Sequence, residues 1–206
     1  MSTASPRSEA PPRRVADPVQ PPRALQPEVS VVMGVDPGTA VTGYGVVARS
    51  RDGAVSLVEC GVVRTTTKSA LPERLRDIYE GLSEVIARHQ PAVLAVEGVF
   101  YSKNVRTSVV LGHARGAVLL AAALHDVQVA EYAPSEVKSA VAGTGAATKE
   151  QVGYMVQRLL RLTAPPKPHD ASDGVAVALC HCFNGFGPGA KQPMALKLRM
   201  FGQGGK

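Results

Sequence analysis

Ser30-Val-Val-Met-Gly-Val-Asp36 is apolar up to the acid that closes it, and its reading decides the fold. Two further runs follow, Gly43-Tyr-Gly-Val-Val-Ala48 and Ala54-Val-Ser-Leu-Val-Glu-Cys-Gly-Val-Val63. Short Val-rich runs bounded by Gly, Pro or Asp are the pattern of strands. Between the last two lies Arg51-Asp52-Gly53. Asp-Gly is a hairpin signal, because the turn needs positive φ and these residues tolerate it. The expectation is a three-stranded antiparallel meander whose first strand ends at Asp36.

Beyond the meander the period changes. Leu71, Leu75, Ile78, Leu82, Val85 and Ile86 repeat at three- and four-residue spacing, which predicts an amphipathic helix over 70–89. After Pro91, Ala92-Val-Leu-Ala-Val-Glu97 is a second apolar run closed by an acid. Residues 105–125 read as a helix with few charges and Val127 to Tyr132 as a short strand. Thr148 and Gln151 form a capping box opening a helix that runs to about Leu162. Prolines 165, 166 and 168 then break the chain, and a last helix runs from about Asp170 to Phe183. Three strands, helix, strand, helix, strand and helices is the order of the α/β ribonuclease H-like fold, a five-stranded mixed sheet flanked by helices. Residues 1–29 are rich in Pro, Arg, Ser and Ala without apolar periodicity and read as a disordered arm. Residues 184–206, with six glycines and basic residues, read as a flexible tail, leaving 30–183 as the domain.

Composition narrows the function classes. The net charge of +6 sits mostly in the ends: residues 1–29 contribute +1 and residues 184–206 contribute +4, leaving +1 for the domain. Bulk charge alone is therefore a weak argument for nucleic acid, and positions must carry it. The cysteines, Cys60, Cys180 and Cys182, are odd in number and fit no disulfide framework. Cys180-His181-Cys182 lacks a second pair of zinc ligands and reads as part of a buried helix. No run of eighteen apolar residues and no signal-type leader appears, so the expectation is a cytoplasmic protein without a membrane span.

The chemistry is carried by acids. Asp36 and Glu97 both stand where an apolar strand run meets a glycine-containing loop. Ionised carboxylates are costly there unless something compensates them. Asp170 and Asp173, three residues apart, share one helix face in the first turn, where the helix end favours the ionised form. Oxygens from separate elements suit Mg²⁺, and two such ions can activate water and stabilise a leaving oxygen in phosphodiester cleavage. A lone strand-end Asp also serves as a turn former and Asp170 also suits a helix N-cap, so spacing alone leaves both readings open.

The wider pattern resembles a known family. Met33-Gly-Val-Asp-Pro-Gly-Thr-Ala-Val-Thr-Gly-Tyr-Gly-Val-Val47 is similar to the opening of RuvC, the bacterial Holliday-junction resolvases or crossover junction endodeoxyribonucleases. Glu97-Gly-Val-Phe-Tyr-Ser-Lys-Asn104 resembles their second acidic segment. Leu111-Gly-His-Ala-Arg-Gly-Ala117, Glu131-Tyr-Ala-Pro-Ser-Glu-Val-Lys-Ser-Ala-Val-Ala-Gly143, Thr148-Lys-Glu-Gln-Val152 and Asp170-Ala-Ser-Asp-Gly-Val-Ala-Val-Ala-Leu179 match further blocks in order. The resemblance spans about 30–183 and leaves out both ends.

It implies that Asp36, Glu97, Asp170 and Asp173 are the catalytic, metal-binding acids, with Mg²⁺ or Mn²⁺ as cofactor and two ions per site. Some relatives carry His where Asp170 stands; here His169 precedes it, on the reading an exposed residue before the helix. Lys149 matches a lysine near the scissile phosphate, where a fixed ammonium stabilises developing charge. Lys138 matches a lysine implicated in DNA binding. Phe100 matches an aromatic thought to act at the junction, and Tyr101 and Lys103 stand beside it; an aromatic among cations can stack on an unpaired base. Each of these residues also has a plain surface reading.

The resemblance further implies four-way junction DNA as substrate, paired nicks in recombination and repair, a homodimer, and cooperation with the RuvA–RuvB branch-migration complex. Residues 109–124 agree with a dimer, being apolar almost all round with Gly112, Ala114, Gly116 and Ala117. A helix with two apolar sides needs two partners. Asp36-Pro-Gly-Thr39 is also similar to the phosphate loop of actin-like ATPases and sugar kinases, which need a second such domain and a glycine-rich adenosine site. A catalytically silent junction scaffold is disfavoured by four acids facing phosphates.

Overall fold

The computed structural model describes residues 29–98, 105–186 and 190. The elements are β1 (Val29–Asp36), β2 (Val41–Ser50), β3 (Val55–Arg64), α1 (Leu71–His89), β4 (Val93–Glu97), α2 (Val105–Leu124), β5 (Gln128–Tyr132), α3 (Pro134–Ala142), α4 (Lys149–Leu159) and α5 (His169–Asn184). The sheet order is β3-β2-β1-β4-β5. β1, β2 and β3 pair antiparallel as the expected meander, whereas β4 runs parallel to both β1 and β5. At the hairpin Gly53 takes φ +89, and the Asp52 carboxylate accepts from the Ala54 N–H at 3.1 Å.

Alternation along the strands divides the core into two layers, since successive side chains point to opposite faces. Met33, Val35, Val46, Leu94 and Val96 face Ile78, Leu82 and Val85 of α1 and Ala114, Val118 and Ala121 of α2. Val32, Val47, Ala95 and Tyr132 face α3, α4 and α5. α5 is buried over most of its length, and its backbone lies directly on the meander. A Cβ at Gly34 would stand 2.2 Å from the Ala178 nitrogen, and one at Gly43 would stand 1.8 Å from the Asp170 carbonyl oxygen. Only glycine admits such an approach. It brings the first turns of α5 to the end of β1.

Three local features depart from the sequence reading. α3 is not predicted by it, although its signals are present: Pro134 opens the helix, Glu136 accepts from the Ala133 N–H at 2.6 Å, and Gly143 closes it at φ +78. α4 stops at Leu159, short of the predicted Leu162. Arg161 takes φ +54 and the Leu162 N–H bonds back to the Gln157 carbonyl at 2.9 Å, a left-handed C-terminal closure that apolar spacing does not reveal. α2, by length and composition, is apolar enough to cross a membrane. In the fold it packs on α1 and β5, and its Arg115 pairs with Glu131 of β5.

Cys180, His181 and Cys182 lie inside buried α5, as the sequence suggested. His181 Nδ1 lies 2.8 Å from the Tyr132 hydroxyl, and burial pulls the imidazole pKa down to about 4.

Candidate active site

The topology explains why two acids sixty residues apart in sequence meet. β1 and β4 are parallel neighbours with Val35 opposite Val96, so the next residue of each, Asp36 and Glu97, falls at the same sheet edge. Their carboxyl groups are hydrogen-bonded to each other. Both are raised above the ordinary carboxylate range. For each the first cause is loss of water on burial; for Glu97 the second is the Asp36 charge. A buried pair of this kind holds a proton because both groups cannot readily ionise together.

The close seat of α5 supplies the third acid. Asp173 joins Asp36 and Glu97 around a cleft of about 70 Å³ whose wall also includes Lys149 and Lys138. The Lys149 Nζ lies 2.9 Å from Asp173 Oδ2. The lysine side chain is 74% exposed and the aspartate 21%, so water screens the pair and it contributes little to stability. Its use is positional: it holds a cation at the mouth of an acidic cleft. The bond to Asp173 is the main reason that the Lys149 pKa rises.

Asp170, one turn earlier on α5, does not line the cleft; it stands at the margin, and its charge adds to the repulsion raising Asp36. It is not the helix N-cap, a place taken by Pro168. His169 begins α5 and lines a neighbouring groove that it shares with Asp173, not the cleft of Asp36 and Glu97. Phe100, Tyr101 and Lys103 lie outside the described residues. The sequence reading missed the apolar wall: Pro134 and Val137 of α3, Val152 of α4 and Ala176 of α5. The unpredicted α3 contributes two of these, and the Pro134–Glu136 start signal would have found it. Such a wall keeps the local dielectric low, which strengthens every charge interaction in the cleft.

The donor set is oxygen only, which fits Mg²⁺ or Mn²⁺ and not a soft metal. The raised, proton-sharing Asp36–Glu97 pair is the electrostatic signature of a place that a cation would relieve. Among the described residues no three acid, His or Cys side chains are drawn together into a closed cage. The residues fit such ions in chemistry and charge, without forming a finished enclosure in this conformation.

Comparison with known proteins points the same way. The family model for crossover junction endodeoxyribonuclease RuvC matches residues 32–181. The crossover junction endodeoxyribonuclease RuvC of Pelotomaculum thermopropionicum is 50% identical over 151 residues, covering 73% of this chain and 92% of that protein. The Thermus thermophilus RuvC structure aligns with a TM-score of 0.73 at 38% identity, covering 80% of this chain and 99% of that one. T. thermophilus RuvC in complex with a Holliday junction substrate aligns with a TM-score of 0.71 at 39% identity, covering 75% and 93%.

Proposed function

The chain belongs to the RuvC family of crossover junction endodeoxyribonucleases, and on that premise we propose which residues and ions it uses to cut DNA. It is a Holliday-junction-resolving endonuclease of recombination. Asp36, Glu97 and Asp173, with Asp170 at the margin, would hold two divalent ions, Mg²⁺ with Mn²⁺ able to replace it. When bound, the ions supply a water activated for in-line attack and charge to steady the leaving oxygen, giving 5′-phosphate and 3′-hydroxyl ends.

The chain's own residues do the rest. The Asp36–Glu97 pair would lose its shared proton to solvent as a cation binds, leaving both carboxylates free to serve as ligands. Lys149, held at the cleft mouth by Asp173, sets an ammonium against the scissile phosphate and offsets charge as it develops. Lys138 binds the DNA backbone beside it, and Phe100, Tyr101 and Lys103 engage the junction next to Glu97. The apolar wall from α3, α4 and α5 keeps bulk water from the reacting group.

The protein acts as a homodimer in the cytoplasm, together with the RuvA–RuvB complex. The outer face of α2 supports the dimer: Val105, Val109, Leu120 and Leu124 are exposed, and nothing lies within 4 Å of a Cβ at Gly112 or Gly116. Two-fold pairing through that face would give two sites for two strands.

The observation that carries the reading is the shared edge of Asp36 and Glu97, with Lys149 tethered to Asp173 across the same cleft. The test is a synthetic four-way junction with Mg²⁺ or Mn²⁺. Wild type gives paired nicks of like polarity, whereas Asp36→Asn binds without nicking. Nicking by Asp36→Asn at the wild-type rate would overturn the assignment.

A further inference from the structure

Beside the acidic cleft lies a second, larger space of about 410 Å³ between α4 and the start of α5. Lys149 and Asp173 line both, so the two are compartments of one surface divided by that ion pair. The size lies within the range of small-ligand sites. We propose that this groove is a subsite for one unstacked nucleobase of the strand being cut, next to the scissile phosphate. The inference rests on the assignment of the neighbouring acids to phosphodiester cleavage and adds a place for the adjoining nucleotide.

Four observations carry it. Ser172 lines the groove, is only 5% exposed, and its hydroxyl has no hydrogen-bond partner among the described residues. A buried hydroxyl without a partner is costly, and a ligand that hydrogen-bonds it removes that cost. Opposite it stands Gly153, where an added Cβ would be 3.8 Å from the Ser172 oxygen; the absence of a side chain keeps the floor open. Tyr154, next in α4, also lines the groove and is 57% exposed, an aromatic face available for stacking. Gln157 spends its amide nitrogen on the Leu162 and Thr163 carbonyls, which fixes the side chain and leaves its oxygen as an acceptor.

Charge decides between parts of a nucleotide. The fixed charges lining the groove are Lys149 against Glu150 and Asp173, a balance that repels a second phosphate. A neutral, flat, hydrogen-bonding group suits the lining better. Bases near the branch point are the easiest to unstack, so extrusion costs least there.

The experiment pairs variants with abasic substrates. Gly153→Leu fills the floor with a good helix former, and Tyr154→Ala removes the stacking face. Junctions carry a single abasic nucleotide in the cut strand, either immediately 5′ or immediately 3′ of the scissile phosphate. Wild type should lose about tenfold in kcat/KM on one of the two abasic junctions, in line with the worth of one base–aromatic stack. Each variant should lose about tenfold on the intact junction and nothing further on that same abasic junction, because the cycle removes one interaction twice. Undiminished variant losses on both abasic junctions, or variants equal to wild type on the intact junction, would overturn the subsite.

Failure of the parent reading looks different. It shows as Asp36→Asn nicking like wild type or as no nicking at all. In that event the same cycle is read from equilibrium junction binding, and its absence there also overturns the subsite.

Discussion

Two acidic corners of one sheet have opposite fates. Glu59 on β3 is met by cations and donors: the Arg88 guanidinium at 2.8 and 3.1 Å, His89 Nε2 at 2.6 Å and the Tyr44 hydroxyl at 2.8 Å. The bond to Arg88 is the chief reason that its pKa falls to about 2. Asp36 and Glu97 meet chiefly each other, while the nearest ammonium, on Lys149, is bonded to Asp173; their pKa values move up instead. A compensated acid holds α1 against β3. An uncompensated pair stores electrostatic cost that a bound cation would release. The partners, and not the residue type, separate a structural carboxylate from a functional one.

The largest effect that tests this contrast is on cleavage. Asp36→Asn should lower single-turnover cleavage of a four-way junction by about a thousandfold or more, since it removes a proposed ligand and leaves the acid pair broken. Junction affinity should hold or tighten, because a negative charge facing phosphates is gone. Glu59→Gln should cleave at the wild-type rate. Next in size is Lys149→Ala, expected to lose about a hundredfold in the chemical step, the usual worth of one fixed charge at a reacting centre. If that loss appears in junction affinity alone, Lys149 is a backbone contact and the cleft-mouth role fails.

The same contrast shows how far the sequence could be read. Asp36 and Glu97 each close an apolar run at a glycine-containing loop, whereas Glu59 lies inside its run, between Val58 and Cys60; that position sets the two strand-end acids apart but does not reveal what each acid meets. The runs did give the strands and, through the order of elements, a mixed five-stranded sheet; that Asp36 and Glu97 end neighbouring parallel strands is seen only in the fold. The partners of Glu59 come from the end of α1, about thirty residues on, and depend on how that helix docks. α3 was missed for a different reason: its nine residues show little apolar periodicity, and its local start and stop signals at Pro134, Glu136 and Gly143 were passed over; the Arg161 closure of α4 leaves no periodic trace either. The seat of α5 on Gly34 and Gly43 is a property of backbone approach, and the groove at Ser172 is a gap between helices. Neither leaves a trace in periodicity. Asp170 and Asp173 were legible as a pair, yet only Asp173 lines the cleft.

A smaller effect is expected in stability at the compensated corner. Glu59→Gln should cost about 1 kcal/mol in urea unfolding at pH 7, the scale of a partly exposed ion pair with its hydrogen bonds. The native pKa of Glu59 lies below its unfolded value, so its contribution is present above the ordinary carboxylate range and is lost as pH falls towards about 2. The gap between wild type and variant should therefore close between pH 5 and pH 2. A gap that stays constant with pH would mean that packing, and not charge, holds this corner.

The last effect is of similar size but opposite sign, and it is the sharpest test of the comparison. Glu97 and Asp36 titrate above the ordinary carboxylate range in the folded chain, first because burial removes water. In the window between the unfolded value and the raised one, the native state binds more protons than the unfolded state. Stability without divalent ions therefore falls as pH rises through that window. Glu97→Gln keeps the shape and a donor towards Asp36 but carries no charge. In chelator at pH 7 the variant should melt about 2–4 °C above wild type, the shift produced by about 1 kcal/mol in a domain of this size. The difference should vanish near pH 3, below the unfolded-state value, where wild-type Glu97 is protonated in both states. Adding Mg²⁺ should raise the wild-type Tm and close the gap from below, since a ligand that binds only the folded chain stabilises it. If Glu97→Gln instead lowers the Tm at pH 7, as Glu59→Gln should, the strand-end pair is a structural contact like its counterpart on β3, and the division between the two corners disappears.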